Sequence, residues 1–335
     1  MANINRQWLL ARRPHGMVTK DDFRYNESAM PQAGAGEVVV KTRYLSFDPT
    51  QRGWMEDRPS YIPPVAIGEV MRASSIGEVI ASNSPDLQVG DVVQGMSGWQ
   101  EYSVASAAGP FGARKLPTDV PASWFLGVLG ITGLTAYFGL LDLGEPKPGQ
   151  TVLVSGAAGA TGSVAAQIAR IKGCRTVGIA GGADKCRWLR DTARLDATID
   201  YKADNVSARI GELCPNGVNV YFDNVGGDIL EAALDHLAMN ARVVLCGGIA
   251  AYNDTQPRPG PRNLMNLVVQ RGRMEGFIVV DYLARMQEAI VPLTAWTKSG
   301  ELVHQEDVQE GFDSIPDTLN RLFTGKNLGK QLQKL

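Results

Sequence analysis

The chain has 335 residues, of which 44% are hydrophobic and 20% charged, and its formal net charge at pH 7 is −2. This composition is typical of a globular protein and excludes an intrinsically disordered chain. The small net charge argues against a nucleic-acid or membrane-surface binder, and no apolar run approaches the roughly 18 residues that a membrane span needs. The length suffices for two domains, each with its own core.

The N-terminus and the cysteines predict the cellular compartment. Residues 1–13 contain no hydrophobic block followed by small residues, so we expect no secretory signal. The cysteines are scattered and show no paired spacing: Cys174, Cys186, Cys214 and Cys246. This pattern is typical of reduced thiols and unlike a disulfide framework or a four-cysteine zinc site. We therefore expect a cytoplasmic protein.

Up to about residue 125 the sequence is rich in short predicted strands. Residues 37–46, 77–82 and 91–95 have strand character, and Gly, Pro, Asn and Asp separate them at short intervals. This pattern indicates a barrel-like antiparallel module.

Beyond about residue 126 strands alternate with helices, beginning with a glycine-rich βαβ unit. Its predicted elements are a strand, a helix and a second strand, over 151–154, 163–172 and 174–180. Gly156, Gly159 and Gly162 occupy the loop between the first strand and the helix. Glycines there allow a tight turn and close approach of a pyrophosphate, and the helix N-terminus offers N–H donors to that anion. The unit therefore predicts a dinucleotide site rather than an ordinary tight turn.

The end of the second strand predicts which dinucleotide binds. An NAD site usually carries Asp or Glu there, whereas this strand ends in Gly181 and Gly182 and is followed by Lys185 and Arg187. A cation and open glycines would accept a 2′-phosphate that an acid would repel. Asp184 lies close by, and the two cations could instead form a solvated first helical turn. We favour NADPH.

The alternation continues to about residue 300. Further strands are predicted over 197–201, 218–223, 241–247 and 273–280, and the tail adds a helix over 315–323 and a strand near Lys330. These elements predict an α/β fold: a doubly wound parallel sheet over 126–300, and a barrel domain over 1–125 completed by 301–335.

Several sequence blocks, taken together and in order, carry a family resemblance. They read LSFDPTQRG, GLTAYFG, VSGAAGATG, YFDNVGG, AYN and NLGK, beginning at residues 45, 133, 154, 221, 251 and 327. The chain resembles the zinc-independent medium-chain dehydrogenases/reductases, the branch of the prostaglandin, alkenal double-bond and curcumin reductases. The resemblance covers essentially the whole chain.

The resemblance implies a GroES-like β-barrel domain, a Rossmann domain, NADPH, and reduction of a carbon–carbon double bond conjugated to a carbonyl. The expected partner is a small enone or enal, with no nucleic acid and no membrane. A homodimer is also implied, joined at the edges of the Rossmann sheets through the strand around 277–280.

We expect no metal. Zinc alcohol dehydrogenases supply Cys and His ligands, with a Gly-His-Glu segment, whereas residues 67–69 here read Ile-Gly-Glu. No cysteine precedes Cys174, and the histidines are His15, His236 and His304. An alkene activated by its own carbonyl suits such a site better than a zinc-bound alcohol.

The resemblance implies a set of cofactor contacts: Thr135, Gly156, Ala158, Gly159, Ala160, Thr161, Gly162, Gly181, Lys185, Tyr201, Asn224, Cys246, Gly247, Tyr252, Phe277, Ile278, Val279 and Asn327. Within this set Lys185 would pair with the 2′-phosphate and Tyr201 would add a hydroxyl nearby. On the nicotinamide side, the cofactor would be contacted by Thr135, Asn224 and Asn327. From the residues alone, Tyr201 could instead be a strand-end tyrosine with its hydroxyl in water, and Asn224 a turn residue.

Tyr252 is the candidate catalytic residue. It follows a predicted strand in a loop rich in Gly, Pro and Asn, and a phenol with a reference pKa of about 10 stays protonated at neutral pH. Such a donor could stabilise the charge of an enolate in a dry pocket. The alternative is a tyrosine that only packs the loop.

Two positions depart from the family pattern, and two other functions stay open. Thr50 stands where the family often has Tyr, and Ile131-Thr132 stands where it has Met-Pro. Both positions are candidate substrate contacts. The alternatives to enone reduction are a quinone reductase and, from another class, a non-catalytic dinucleotide-binding protein.

Overall fold

The computed structural model describes residues 4–109 and 111–335. Residues 1–3, with which the predicted first domain begins, and residue 110 lie outside the described residues. The chain divides into two compact units. The first takes in the described residues up to Leu126, with Glu306–Asn327 and Gln331–Leu335, and the second comprises Gly127–Gln305 and Leu328–Lys330.

The strands follow one another along the chain as β1 (Ile4–Leu10), β2 (Phe23–Ala29), β3 (Glu37–Ser46), β4 (Ser75–Ser82), β5 (Val92–Gly95), β6 (Tyr102–Ser106), β7 (Arg114–Lys115), β8 (Thr151–Ser155), β9 (Arg175–Ala180), β10 (Ala197–Asp200), β11 (Val218–Asp223), β12 (Leu237–Leu245), β13 (Arg273–Gly276), β14 (Glu306–Glu310) and β15 (Lys330–Lys334).

The α-helices are α1 (Thr50–Trp54), α2 (Ile131–Phe138), α3 (Ala160–Ile171), α4 (Ala183–Asp191), α5 (Val206–Leu213), α6 (Gly227–Leu234), α7 (Met265–Val269), α8 (Met286–Ser299) and α9 (Ile315–Phe323). Across residues 4–109 and 111–335, no helix combines the length and the apolar character needed to cross a membrane.

The first unit is built on an antiparallel sheet with the strand order β14-β15-β3-β4-β5-β7, and β6 pairs with β3 off this path. The central strand β3 buries Val38 and Val40 on one face, where they pack with Val79 and Val93. A second cluster surrounds the indole of Trp99. Branched residues suit this pleated, half-buried surface, which explains why short alternating segments form strands here.

The second unit is built on a parallel sheet with the strand order β10-β9-β8-β11-β12-β13. Its pairs are all parallel. Strand β8 is buried along its whole length, as expected for a strand covered by helices on both faces. The predicted fold, a GroES-like barrel domain with a Rossmann sheet, is confirmed.

The order of the strands locates a switch point between β8 and β11. From β8 the chain adds β9 and β10 on one side, and then β11, β12 and β13 on the other. Ligands of doubly wound sheets bind in the crevice beyond the carboxyl ends of the strands at such a point. The ends of β8 and β11 are therefore where the site is sought.

The predicted strand over 273–280 is half wrong. Strand β13 ends at Gly276, and a 3₁₀ helix begins at Val279. The ring of Phe277 packs directly on the backbone of Gly139. A Cβ on Gly139 would lie only 2.4 Å from the Cζ atom of that ring. The apolar run 277–280 therefore makes no strand pairing; Phe277 is half-buried against Gly139, Ile278 is 37% exposed, and the edge of the sheet is β13 alone.

Candidate active site

The glycine loop after β8 closes on itself and opens α3. Gly156 has a φ of +59°, and its carbonyl accepts the N–H of Gly159 at 2.9 Å. A Cβ on Gly162 would lie 2.4 Å from the carbonyl oxygen of Gly156, so only glycine fits there without a shift of the backbone. Helix α3 then starts at Ala160, and its first-turn N–H groups have no acceptor within the helix. The loop is a cradle for an anion.

The tail of the second unit fastens this loop. Gly329 donates its N–H to the carbonyl of Ala158 at 2.9 Å and bridges Gly159 in parallel. Gly329 has a φ of +71°, and a Cβ there would lie 2.1 Å from the carbonyl oxygen of Gln305. Asn327, which is buried, comes two residues earlier in the sequence. The backbone of the NLGK block thus supports the dinucleotide loop.

The carboxyl ends of β9 and β10 form one end of the site. Tyr201 is 45% exposed, and its ring lies only 2.7 Å from the place that a Cβ on Gly181 would take. Asp200 turns inward and accepts the N–H groups of Gly182 at 2.8 Å and Lys202 at 3.0 Å. Its carboxylate is thus held by this turn.

The first turns of α4 separate two kinds of charge. Arg187 pairs with Asp184 at 3.0 Å, and both side chains are exposed to solvent, which matches a solvated helix face. Lys185 lies between them in sequence and is half-buried. Asp184 pairs with Arg187 on the exposed face of α4, and the role of this strand end in the choice of NADPH stays a prediction.

The carboxyl end of β11 is buried and closely hydrogen-bonded. Asp223 is 1% exposed, and its carboxylate accepts the hydroxyls of Ser155 and Tyr221, each at 2.7 Å. Asn224 follows, and its side-chain Nδ2 donates to the carbonyl of Ser155 at 2.7 Å. Asn224 therefore lies in a turn at the switch point, and its contact with the cofactor stays a prediction.

A cavity of about 630 Å³ opens beside this end of the sheet. Its lining comes from the ends of β11, β12 and β13, from α6 and from the segment after β13: Asp223, Gly226, Leu230, Leu245, Cys246, Gly247, Gly276, Phe277, Ile278 and Asp281. Burial raises the pKa of the Cys246 thiol to about 12, and the charge of Asp223 adds to the rise. Cys246 is thus a neutral thiol at pH 7, unsuited to act as a nucleophile.

Tyr252 lies in the loop after β12, beside this cavity lining. Its hydroxyl oxygen accepts the N–H of Gly248 at 3.3 Å and stands 3.4 Å from the place of a Cβ on Gly247. The side chain is half-buried. A hydroxyl that accepts from the main chain can also donate its proton, because the two roles use different atoms.

Comparison with known proteins extends these observations. Residues 6–112 match the family described as the N-terminal domain of oxidoreductase, and residues 160–296 match the family described as zinc-binding dehydrogenase. The chain is 42% identical to the NADPH-dependent curcumin reductase of Escherichia coli, covering 97% of this chain and 95% of that protein. It is 38% identical to the NADP(+)-dependent 2-alkenal reductase of Nicotiana tabacum, covering 89% and 87%.

A solved structure agrees. CurA of Vibrio vulnificus in complex with NADPH superposes with a TM-score of 0.93 at 39% identity, covering 98% of each chain. The chain belongs to the zinc-independent medium-chain dehydrogenase/reductase family. The predicted family is confirmed, and so is the prediction that the protein is an enzyme.

The metal prediction for this reductase is not tested by the fold. Among residues 4–109 and 111–335, no group of three or more His, Cys, Asp or Glu side chains could hold a metal ion. Metal analysis of the purified reductase is the direct test. We expect no stoichiometric zinc and unchanged activity in the presence of a chelator.

Helix α2 of the reductase carries two of the predicted positions. Thr135, the proposed nicotinamide contact, donates its hydroxyl to the carbonyl of Ile131 at 2.7 Å. Thr132 is buried and donates to the carbonyl of Gly127 at 2.9 Å. The hydroxyl of Thr132 therefore binds the backbone just before α2. The side chain of Ile131, by contrast, is 39% exposed. Of this pair only Ile131 has substantial exposed surface.

In the first unit of the reductase, Thr50 begins α1 and shares a hydrogen bond with the hydroxyl of Tyr61. The indole N–H of Trp54 donates to the same hydroxyl at 3.2 Å. Tyr61 is 49% exposed. Thr50 stands where the family often has Tyr, and the phenol of Tyr61 lies next to it.

Sequence reasoning about the reductase missed Ser155, Asp223 and Gly329. Ser155 and Asp223 are polar residues at the ends of otherwise apolar buried strands, which is the signal that could have drawn attention to them. Gly329 could not be found in this way, because its role depends on two segments far apart in sequence.

Proposed function

We propose that this reductase transfers a hydride from NADPH to the β-carbon of an α,β-unsaturated ketone or aldehyde and so reduces the carbon–carbon double bond. The observation that carries the proposal is the likeness, over nearly the whole chain, to a curcumin reductase and a 2-alkenal reductase whose names specify NADP. A 2-alkenal has a double bond conjugated to an aldehyde, the substrate class in question.

The pyrophosphate of the cofactor would bind at the start of α3. Gly156, Gly159 and Gly162 place no side chain at three positions of the loop, and a Cβ at Gly162 would collide with the loop backbone. The first N–H groups of α3 supply donors and the positive end of a helix dipole. The cradle therefore fits a diphosphate.

The 2′-phosphate would bind between the ends of β9 and β10. Lys185 supplies a cation and Tyr201 supplies an exposed phenol. Gly181 has no side chain, which leaves room for the ring of Tyr201. A charge-assisted hydrogen bond to phosphate is among the strong contacts in proteins. These residues would select NADPH over NADH.

Tyr252 would act on the substrate. Arrival of a hydride at the β-carbon leaves an enolate, whose oxygen carries the new charge. The hydroxyl of Tyr252, held by the N–H of Gly248 at 3.3 Å, would donate to that oxygen. Solvent or Tyr252 would then deliver a proton to the α-carbon.

The experiment is NADPH oxidation with a panel of enones, quinones and simple aldehydes, followed by product analysis. We expect the saturated ketone or aldehyde from the conjugated substrates. Turnover confined to quinones, or an allylic alcohol as the main product, would overturn the proposed reaction.

We further propose a homodimer joined at the free edge of β13. The helix that precedes β13 in the chain, α7, exposes three apolar side chains: Met265, Val268 and Val269, each at least 60% exposed. Two copies of β13 related by a two-fold axis at Met274 would place Arg273 opposite Glu275 of the second copy. The edge is thus self-complementary in charge.

Sedimentation velocity tests the dimer. Val268→Glu should shift the protein to the mass of a single chain, whereas Val291→Glu, at an equally exposed valine on α8, should not. A wild type that sediments as a monomer at micromolar concentration would contradict the proposal.

We also propose a cytoplasmic location. The four cysteines are thiols without a disulfide, and three of them are buried. A reducing compartment maintains such thiols. Localisation of a tagged full-length chain by fractionation would test this.

A further inference from the structure

The end of β11 holds a carboxylate that is almost inaccessible to solvent. Asp223 accepts the hydroxyls of Ser155 and Tyr221, each at 2.7 Å, and the N–H groups of Val225 and Gly226 at 3.0 Å. A buried carboxylate is costly unless donors surround it. Burial and the neighbouring charge of Asp223 raise the pKa of Tyr221 well above its ordinary value, so the phenol remains a donor.

The donors around this carboxylate belong to two different strands. Ser155 ends β8, directly before the glycine loop, and its Oγ also accepts the N–H of Asn224 at 2.9 Å. The side-chain amide of Asn224 donates to the carbonyl of Ser155 at 2.7 Å. The hydroxyl of Ser155 thus links the ends of β8 and β11 at the switch point. Ser155 binds both the backbone N–H and the side-chain amide of Asn224.

The backbone of the same turn holds a third segment. The carbonyl of Asp223 accepts the N–H groups of Cys246 at 2.9 Å and Gly247 at 3.1 Å, which leave β12. The carbonyl of Val225 accepts the N–H of Ala250 at 3.1 Å. The loop that contains Tyr252 is therefore attached to the turn that the carboxylate organises.

We propose that Asp223 is a positioning residue for the nicotinamide half of the cofactor. With Ser155 and Tyr221, its carboxylate fixes Asn224 and the loop after β12 in the arrangement that binds this half. The inference rests on the proposed function for the identity of the cofactor. It proposes that cofactor binding requires Asp223, Ser155 and Tyr221, none of which the sequence analysis assigned to the site.

The hydrogen-bond network around Asp223 lies near the proposed site for only one half of the cofactor. The proposed 2′-phosphate contacts follow β9 and β10, on the other side of β8 from β11. A change at Asp223 should therefore disturb the nicotinamide half and leave the phosphorylated adenosine half unaffected. A general loss of structure in this unit would disturb both.

The test measures dissociation constants for NADPH and for adenosine 2′,5′-bisphosphate, which lacks the nicotinamide half. Asp223→Asn should weaken NADPH binding about 10- to 100-fold, the loss expected for hydrogen bonds to a charged group, with the bisphosphate within about 2-fold. Asp196→Asn is the control for loss of a carboxylate away from the site, because this exposed carboxylate accepts the N–H and the hydroxyl of Thr176 near the start of β9. It should leave both constants unchanged.

Tyr221→Phe keeps the test decisive if the asparagine variant does not fold. It removes one donor hydroxyl and should weaken NADPH about 2- to 10-fold, again with the bisphosphate unchanged. Equal weakening of both ligands, or unchanged NADPH binding in a folded variant, would overturn the proposal. Cofactor binding does not depend on which substrate is reduced, so failure here differs from failure of the enone assay.

Discussion

The two sides of the parallel sheet end in opposite ways. After β9 and β10, Tyr201 is 45% exposed and the space beside Gly182 is open, so this end of the sheet meets solvent. After β11, Asp223 is 1% exposed, and protein donors surround its carboxylate. One side is prepared for a charge that a ligand brings, whereas the other side completes its hydrogen bonds within the protein.

This difference separates recognition from positioning. A contact on the exposed side can be removed without leaving a buried polar group, so its loss should appear in affinity alone. A contact on the buried side leaves its former partners unsatisfied, so its loss should affect the geometry of neighbouring loops. The predictions below test this division.

The largest effect is expected at Tyr252, which is half-buried in the loop after β12 and is proposed to act on the substrate rather than to position neighbouring loops. Tyr252→Phe removes a donor to the enolate oxygen and should lower turnover about 10- to 1000-fold, as for loss of one oxyanion donor. The dissociation constant of NADPH should change little, because the hydroxyl acts in the transition state. Stopped-flow measurement of hydride transfer is the assay. Unchanged hydride transfer would assign Tyr252 to loop packing.

The next effect is expected at Lys185, on the exposed side. Lys185→Ala should weaken NADPH by about 1.5–3 kcal/mol, or roughly 10- to 150-fold, and leave NADH binding unchanged. Arg187→Ala is the matched control, since that guanidinium already pairs with Asp184 at 3.0 Å. Titration of both cofactors by fluorescence gives the comparison. Equal binding of NADH and NADPH by the wild type would contradict the assignment.

Gly162 tests the cradle between the two sides. A Cβ there would lie 2.4 Å from the backbone oxygen of Gly156, so Gly162→Ala should reduce the free energy of unfolding by about 1–3 kcal/mol. Gly159→Ala is the graded control, because its Cβ would lie 3.2 Å from the same oxygen. Urea denaturation should rank the two variants in that order. The reverse order would show that the loop adjusts freely.

The smallest effect is expected at Tyr201. Tyr201→Phe removes one neutral hydroxyl and should weaken NADPH binding by about 0.5–1.5 kcal/mol, roughly 2- to 10-fold. Thermal stability should not change, because the side chain is 45% exposed. Calorimetric titration with NADPH and with NADH checks both the size and the selectivity. An equal loss for both cofactors would place the hydroxyl away from the 2′-phosphate.

The sequence by itself determined the architecture and the cradle. Buried β-branched strands, helical periodicity and the spacing of Gly156, Gly159 and Gly162 are local properties, because backbone sterics and side-chain pattern act over a few residues. The predicted strands over 37–46 and 218–223 have those bounds in the structure. The glycines and cations after β9 likewise follow from local chemistry.

Only the tertiary structure decided which polar groups meet. The run 277–280 looks like a strand by composition, but Phe277 packs on Gly139, which follows α2 and is far away in sequence. The same holds for Ser155 with Asp223, and for Gly329 with Ala158. Each of these contacts joins segments that approach only when the chain folds, so no local pattern specifies the pair. Burial then makes each contact consequential, because a polar group removed from water must find its partner within the protein.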